Sequence, residues 1–281
     1  MRPSIWTGMY AERSLADAIR QLHACGWSIF EICFEHLVRI ETSPQMQWEI
    51  DAAREAADEH GLEMPQAHVL LSADVAHPDE ARRREDLQRV LLHLGLAARL
   101  GARHAVVHPG GDRGYTTREQ RAEILKLNRE AFQRLSDRAG ELGLRIGIEN
   151  MMDHRECPGV RRFGASPHEL VEFIEEMNHT ALGIALDTSH ANVQRLDVPA
   201  TVREFGAKLW CTHISDNDGS GDQHRTPGGG KMDWPAIVAA LKGIGYAGEF
   251  NLEIPGERHA DPGLRELHAR HALEVVVHLL T

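Results

Sequence analysis

The chain has 281 residues, 42% hydrophobic and 26% charged, which suits one large α/β domain, residues 1–281, with a full core. Its 42 acids outnumber its 31 bases, for a formal net charge of −11, and this argues against a protein that grips a phosphate backbone through a basic face. No apolar run approaches the roughly 20 residues of a membrane span, and the opening MRPSIWTGMYAERS lacks the apolar stretch of a signal peptide.

In chain order, short apolar runs alternate with amphipathic stretches. A strand near Ser4–Met9 precedes a helix over Ser14–Cys25, and Ile29–Phe34 precedes a helix from Gln45 to His60, with Gly61 suited to its C-terminal cap. Leu62–Val69 is the third strand, followed by a long helix over Asp79–Leu100 that stops at Gly101. Next come His104–His108 with the helix Arg118–Leu142, then Leu144–Glu149 with a long loop and the helix Ser166–Met177. Leu182–Asp187 leads to a helix near Val198–Phe205, Lys208–Ile214 to Trp234–Gly243, and Glu249–Ile254 to a last helix over Gly263–Leu280. Strict strand–helix alternation implies parallel strands joined by crossovers. Eight such units predict a single (β/α)8 barrel of the TIM type, and no GxGxxG follows the first strand to suggest a dinucleotide fold. The four cysteines, Cys25, Cys33, Cys157 and Cys211, lack CxxC spacing and read as free thiols of a cytoplasmic protein.

The strand ends carry the chemistry. They present His68, His108, Glu149, Asp187 with His190 just after it, His213 and Glu253, while Asp222 and His224 sit in the loop after strand seven. Barrel enzymes work at this rim because adjacent strand ends converge on one mouth. Taken singly, each residue has an ordinary reading: a strand-end histidine is more often a hydrogen-bonded rim residue, and Asp187 before Thr188 and Ser189 could be only a helix cap. Taken together they predict a divalent metal site, since clustered carboxylates repel one another without a cation. Clustered carboxylates and imidazoles suit Mn²⁺, Co²⁺, Mg²⁺ or Zn²⁺. The histidines at 23, 60, 93, 168, 179, 268, 271 and 278, on helices or their ends, and those at 77, 154 and 259, in loops, read as structural. The Gly228–Gly230 run reads as a loop feeding a capped helix, with a phosphate cradle as the alternative. Arg155, Arg161 and Arg162 read first as a solvated face and second as a lid over an anionic substrate.

The run from IGIEN through ALDTSH and HISDNDG to DQHRTPGGGKMDW and GEFNLEIP resembles the xylose-isomerase-like barrel superfamily over nearly the whole chain. That superfamily includes sugar isomerases and epimerases and the endonuclease IV class. The resemblance implies a metal held by Glu149, Asp187, His213 and Glu253, with Glu149 and Glu253 also moving the proton of a ketose-like sugar or polyol through an enediolate. It implies that His190 contacts substrate. His108 and His68 are further candidates for substrate contact, and Glu35 and His36 are guesses for the pocket wall. The epimerase branch carries a substrate-binding arginine soon after the strand-seven histidine; here no arginine comes before Arg225. The nuclease branch implies a competing activity, a zinc-dependent hydrolase with His68, His108, His190, Asp222 and His224 as additional ligands. The same motifs are compatible with a keto-sugar or inosose lyase, or dehydratase, and with a catalytically inert sugar-binding barrel. The expected partner is a small-molecule sugar or polyol, without nucleic acid or membrane, and the sequence is compatible with a homo-oligomer.

Overall fold

A computed structural model describes residues 1–154, 156–255 and 261–281, so Arg155 and His259 lie outside the described residues. The apolar runs form eight parallel strands: β1 (Arg2–Trp6), β2 (Ile29–Ile32), β3 (Glu63–His68), β4 (His104–Val107), β5 (Arg145–Glu149), β6 (Leu182–Asp187), β7 (Leu209–His213) and β8 (Glu249–Leu252). Each pairs with its sequence neighbour from β1 to β7, and β1 also pairs with β8. The remaining seam is closed by Ile214 beside Leu252. There the Ile214 N–H donates to Asn251 O at 2.7 Å, and Glu253 N–H donates to Ile214 O at 3.1 Å. A side chain completes the seam: Thr212 Oγ1 donates to Glu249 O at 2.7 Å and accepts from Asn251 N–H at 3.2 Å. The result is a (β/α)8 TIM barrel.

The outer layer is α1 (Leu15–Ala24), α2 (Phe34–Thr42), α3 (Met46–His60), α4 (Glu80–Leu100), α5 (Arg118–Glu141), α6 (Pro167–Met177), α7 (Thr188–Val193), α8 (Val198–Phe205), α9 (Trp234–Gly243) and α10 (Pro262–Leu280). Local chemistry sets their limits. Asp79, Thr117, Ser166 and Asp233 accept a first-turn N–H, and Gly61 stops α3 in the left-handed conformation with φ 62°. Two expectations need correction. The strand placed over Ser4–Met9 ends at Trp6, and Thr7–Tyr10 winds into a 3₁₀ turn. Helices α2 and α7 were not expected; α2, with Phe34, Leu37 and Val38 at helical spacing, follows directly on the apolar run read as the second strand, and α7 is six residues of largely polar sequence, too short to show an apolar period.

Candidate metal centre

Parallel register brings the predicted residues together. Glu149, Asp187 and His213 end β5, β6 and β7, and Glu253 follows β8. Asp187 lies opposite His213 across the β6–β7 pairing. One oxygen or ring nitrogen from each of Glu149, Asp187, His213 and Glu253 lies within 4.8 Å of the others. His213 Nδ1 is 3.2 Å from Glu149 Oε1 and 3.3 Å from Glu253 Oε2. His68 Nε2 and His108 Nε2 approach Glu149 Oε2 at 3.4 Å and 3.2 Å.

Asp187 is both cap and candidate ligand. Its Oδ1 accepts the His190 N–H at 2.7 Å to start α7, while Oδ2 is buried without a hydrogen-bond partner among the described residues. Asn150 fixes its backbone by accepting from Asp187 N–H at 2.8 Å and donating to Asp187 O at 3.0 Å.

The sequence reading missed Glu31. This fully buried carboxylate of β2 accepts from His213 Nε2 at 2.8 Å, Gln66 Nε2 at 2.9 Å and Asn251 Nδ2 at 2.6 Å. With Nε2 held to Glu31, Nδ1 is the ring nitrogen turned to Glu149 and Glu253. The available signal was an acid inside the apolar run IFEI.

The electrostatics suit a cation. Burial alone would raise the Glu149 carboxyl, but His213 and His108 outweigh it and hold the group well below its usual range. Burial also opposes the charge on Glu253, which His213 and His224 nonetheless hold low. Burial pushes Asp187 up to about 7 against the pull of His190. The carboxylates in turn raise the His213, His190 and His224 imidazoles while burial lowers His108, so positive charge is favoured here, a role that a divalent ion could take. Glu149 Oε2, Asp187 Oδ2 and His68 Nε2 lack hydrogen-bond partners among the described residues, and the donor set of three carboxylates and one imidazole fits such an ion.

Above the quartet lies a cavity of about 470 Å³, lined by Glu149, Glu253, His108, His190, Asp222 and His224 together with apolar Trp6, Phe34, Leu71 and Met151. His224 Nε2 is 3.0 Å from Asp222 Oδ2, its Nδ1 donates to Glu253 O at 2.8 Å, and His190 Nε2 is 3.5 Å from Asp222 Oδ2. His68, Asp187 and His213 do not line the cavity. Glu35 lines it, but the guess for His36 needs correction: that ring is buried against Thr7 Oγ1 at 3.0 Å and Cys33 Sγ at 3.1 Å. The glycine run serves packing, since a Cβ on Gly230 would come within 2.2 Å of Asp216 Oδ1, and Asp216 Oδ2 already accepts the Gly228 N–H. Arg225 turns to Asp218 and Gly229 O, away from the cavity. A larger groove of about 960 Å³ along α8 and α9 contains none of these strand-end residues.

The xylose isomerase-like TIM barrel family matches residues 19–276. Among curated proteins, the chain is 28% identical to an L-ribulose 3-epimerase of Methylomonas sp. (strain DH-1), covering 92% of this chain and 85% of that protein. It is 25% identical to a ketose 3-epimerase of Arthrobacter globiformis, covering 89% and 80%. An uncharacterized protein of Methanocaldococcus jannaschii is 30% identical over 50% of this chain, which spans only 46% of that protein. A solved D-psicose 3-epimerase, crystallised in the presence of D-fructose, superimposes with a TM-score of 0.80 at 20% identity, covering 100% of this chain and 99% of the other; that likeness is one of fold.

Proposed function

The chain belongs to the xylose isomerase-like TIM barrel family, and on that premise we propose that it is a divalent-metal-dependent epimerase or isomerase of a ketose-like sugar or polyol. The observation that carries this reading is the placement of two carboxylates from separate strands, Glu149 from β5 and Glu253 after β8, both against His213 Nδ1 and both on the wall of one cavity. The proposed ligands are Glu149, Asp187, His213 and Glu253. When bound, the cation polarises the substrate carbonyl and so acidifies the neighbouring C–H. Glu149, held ionised by its imidazole neighbours, can accept that proton, and Glu253 can return one from another direction, as inversion at carbon requires. Glu31 keeps His213 in the orientation that turns Nδ1 to the carboxylates. His190 and His108 offer ring N–H groups to substrate oxygens, and Trp6, Phe34 and Met151 limit water at the reacting carbon.

The test is solvent-deuterium incorporation beside the carbonyl, with metal-loaded protein and a panel of ketoses and keto-inositols. Exchange accompanied by epimer or isomer formation supports the reading. Conversion of a substrate without exchange contradicts a base that equilibrates with solvent. A second reading has its own support: His68, His108, His190, Asp222 and His224 gather around the same quartet, as a multinuclear zinc hydrolase would require. It predicts cleavage of an abasic-site duplex with added Zn²⁺, whereas the epimerase reading, with 42 acids against 31 bases, predicts negligible binding.

A further inference from the structure

Resting on the epimerase reading, we propose that Arg162, paired with Asp112, is a specificity-determining anchor for the end of the substrate chain away from the carboxylate quartet, and that this pair selects an uncharged polyol over a phosphorylated or carboxylated chain.

The backbone around Arg162 is tied down on several sides. Arg161 and Tyr115 exchange two backbone hydrogen bonds, at 2.7 and 2.9 Å, joining the loops after β5 and β4. The Arg162 N–H donates to Asp153 Oδ1 at 2.8 Å, and Asp153 Oδ2 accepts from Gln194 Nε2 at 2.9 Å, which ties the loop to the end of α7. Two residues on, Gly164 has φ +88°, and a Cβ there would lie 3.1 Å from Pro109 Cγ. Glycine therefore lets this loop return against the residue that follows His108.

The side chain is prepared for a ligand. It is only 13% exposed and lines the cavity, and its charge bears on His108. Nη2 pairs with Asp112 on the adjacent loop after β4, whereas Nε is buried with no hydrogen-bond partner among the described residues. A buried N–H without an acceptor is costly, and a substrate oxygen would supply one. Charge decides which oxygen. Glu35, Asp112, Asp222, Glu149 and Glu253 line the same cavity, and Arg162 is the sole Lys or Arg among its described lining residues. Its charge is already matched by Asp112. A phosphate would enter against further carboxylates, while a hydroxyl can accept from Nε and donate to Asp112.

The experiment measures kcat and KM of the metal-loaded full chain with unphosphorylated ketoses of four, five and six carbons and with a six-carbon ketose 6-phosphate. Arg162→Ala should raise KM for the six-carbon ketose about tenfold or more, with kcat within about threefold, and the penalty should shrink as the chain shortens. Arg162→Lys should recover part of the loss. Asp112→Asn should shift preference toward the phosphorylated ketose. If thermal melting shows Arg162→Ala to be misfolded, Arg162→Lys and Asp112→Asn carry the test. A loss equal at every chain length, or a wild-type preference for the phosphate, overturns the anchor while the epimerase reading stands. Wild-type protein that exchanges no ketose overturns both.

Discussion

The two ends of this barrel use the same acidic residues in opposite ways. At the strand starts, Arg2 Nη1 meets Glu63 Oε1 at 2.6 Å, Arg2 Nη2 meets Glu249 Oε1 at 2.5 Å, and Arg103 Nη2 meets Glu63 Oε2 at 3.1 Å. These carboxylates have guanidinium partners, and Arg2, Arg103 and Glu63 reach solvent. At the strand ends, Glu149, Asp187 and Glu253 have imidazoles as their paired cationic neighbours among the described residues, and Glu149 Oε2 and Asp187 Oδ2 are buried without a hydrogen-bond partner there. The contrast teaches how to tell structural from functional charge in a barrel. An acid paired with arginine at the strand starts ties strands together; an acid facing histidines at the strand ends belongs to the proposed cation site.

The sharpest way to break the contrast is at the strand ends. Glu149→Gln or Glu253→Gln keeps an oxygen near the cation but removes a basic carboxylate, so exchange should fall about 10²–10⁴-fold in metal-loaded protein. A metal-loaded variant exchanging as fast as wild type removes that glutamate from the proton path. The next effect concerns pH. Burial lowers His36 to about 4 from its usual 6.5. The folded pKa lies below the unfolded one, so between these values the unfolded chain binds the extra proton and stability falls as pH falls. The full difference is about 3 kcal/mol. Urea melts from pH 7 to pH 4 should show a flatter slope for His36→Gln than for wild type; parallel slopes contradict the assignment. The Arg2 guanidinium holds Glu63 below its usual range, so that pair should contribute less to the slope than an ordinary glutamate would.

Cation binding should come next. At a hundredfold excess over Kd it stabilises the fold by about 2.7 kcal/mol. Calorimetry should show that rise in wild type and a smaller one in Asp187→Asn, which leaves both proposed proton carriers in place; identical rises would place the ion elsewhere. The smallest effect belongs to the strand starts. Glu63→Gln should cost about 1 kcal/mol or less, because its partners are partly solvated. Turnover should be unchanged, and a large loss of activity would blur the division between the two ends.

Much of this was legible in the sequence. Strand-end residues can be read because apolar runs stop where polar chemistry begins, and Glu149, Asp187 and His213 stand at such stops. Glu31 could not be read that way, because its partners Gln66, His213 and Asn251 lie 35, 182 and 220 positions away and meet it only when the barrel closes. Nor could the sequence choose between Arg161 and Arg162. The backbone pairing of Arg161 with Tyr115 decides it: Arg161 is 56% exposed on Asp153, while Arg162 turns to the cavity. The short α7 was hidden for a related reason, since Asp187 starts it and a six-residue helix has no room for an apolar stripe.

The most direct measurement is metal stoichiometry by mass spectrometry on protein stripped with chelator, reloaded and desalted. The account predicts one divalent ion per chain in wild type and a loss of that ion in Asp187→Ala and His213→Ala. Three ions per chain would contradict it in favour of the multinuclear hydrolase, and none would show that the strand-end carboxylates are balanced by their histidines alone.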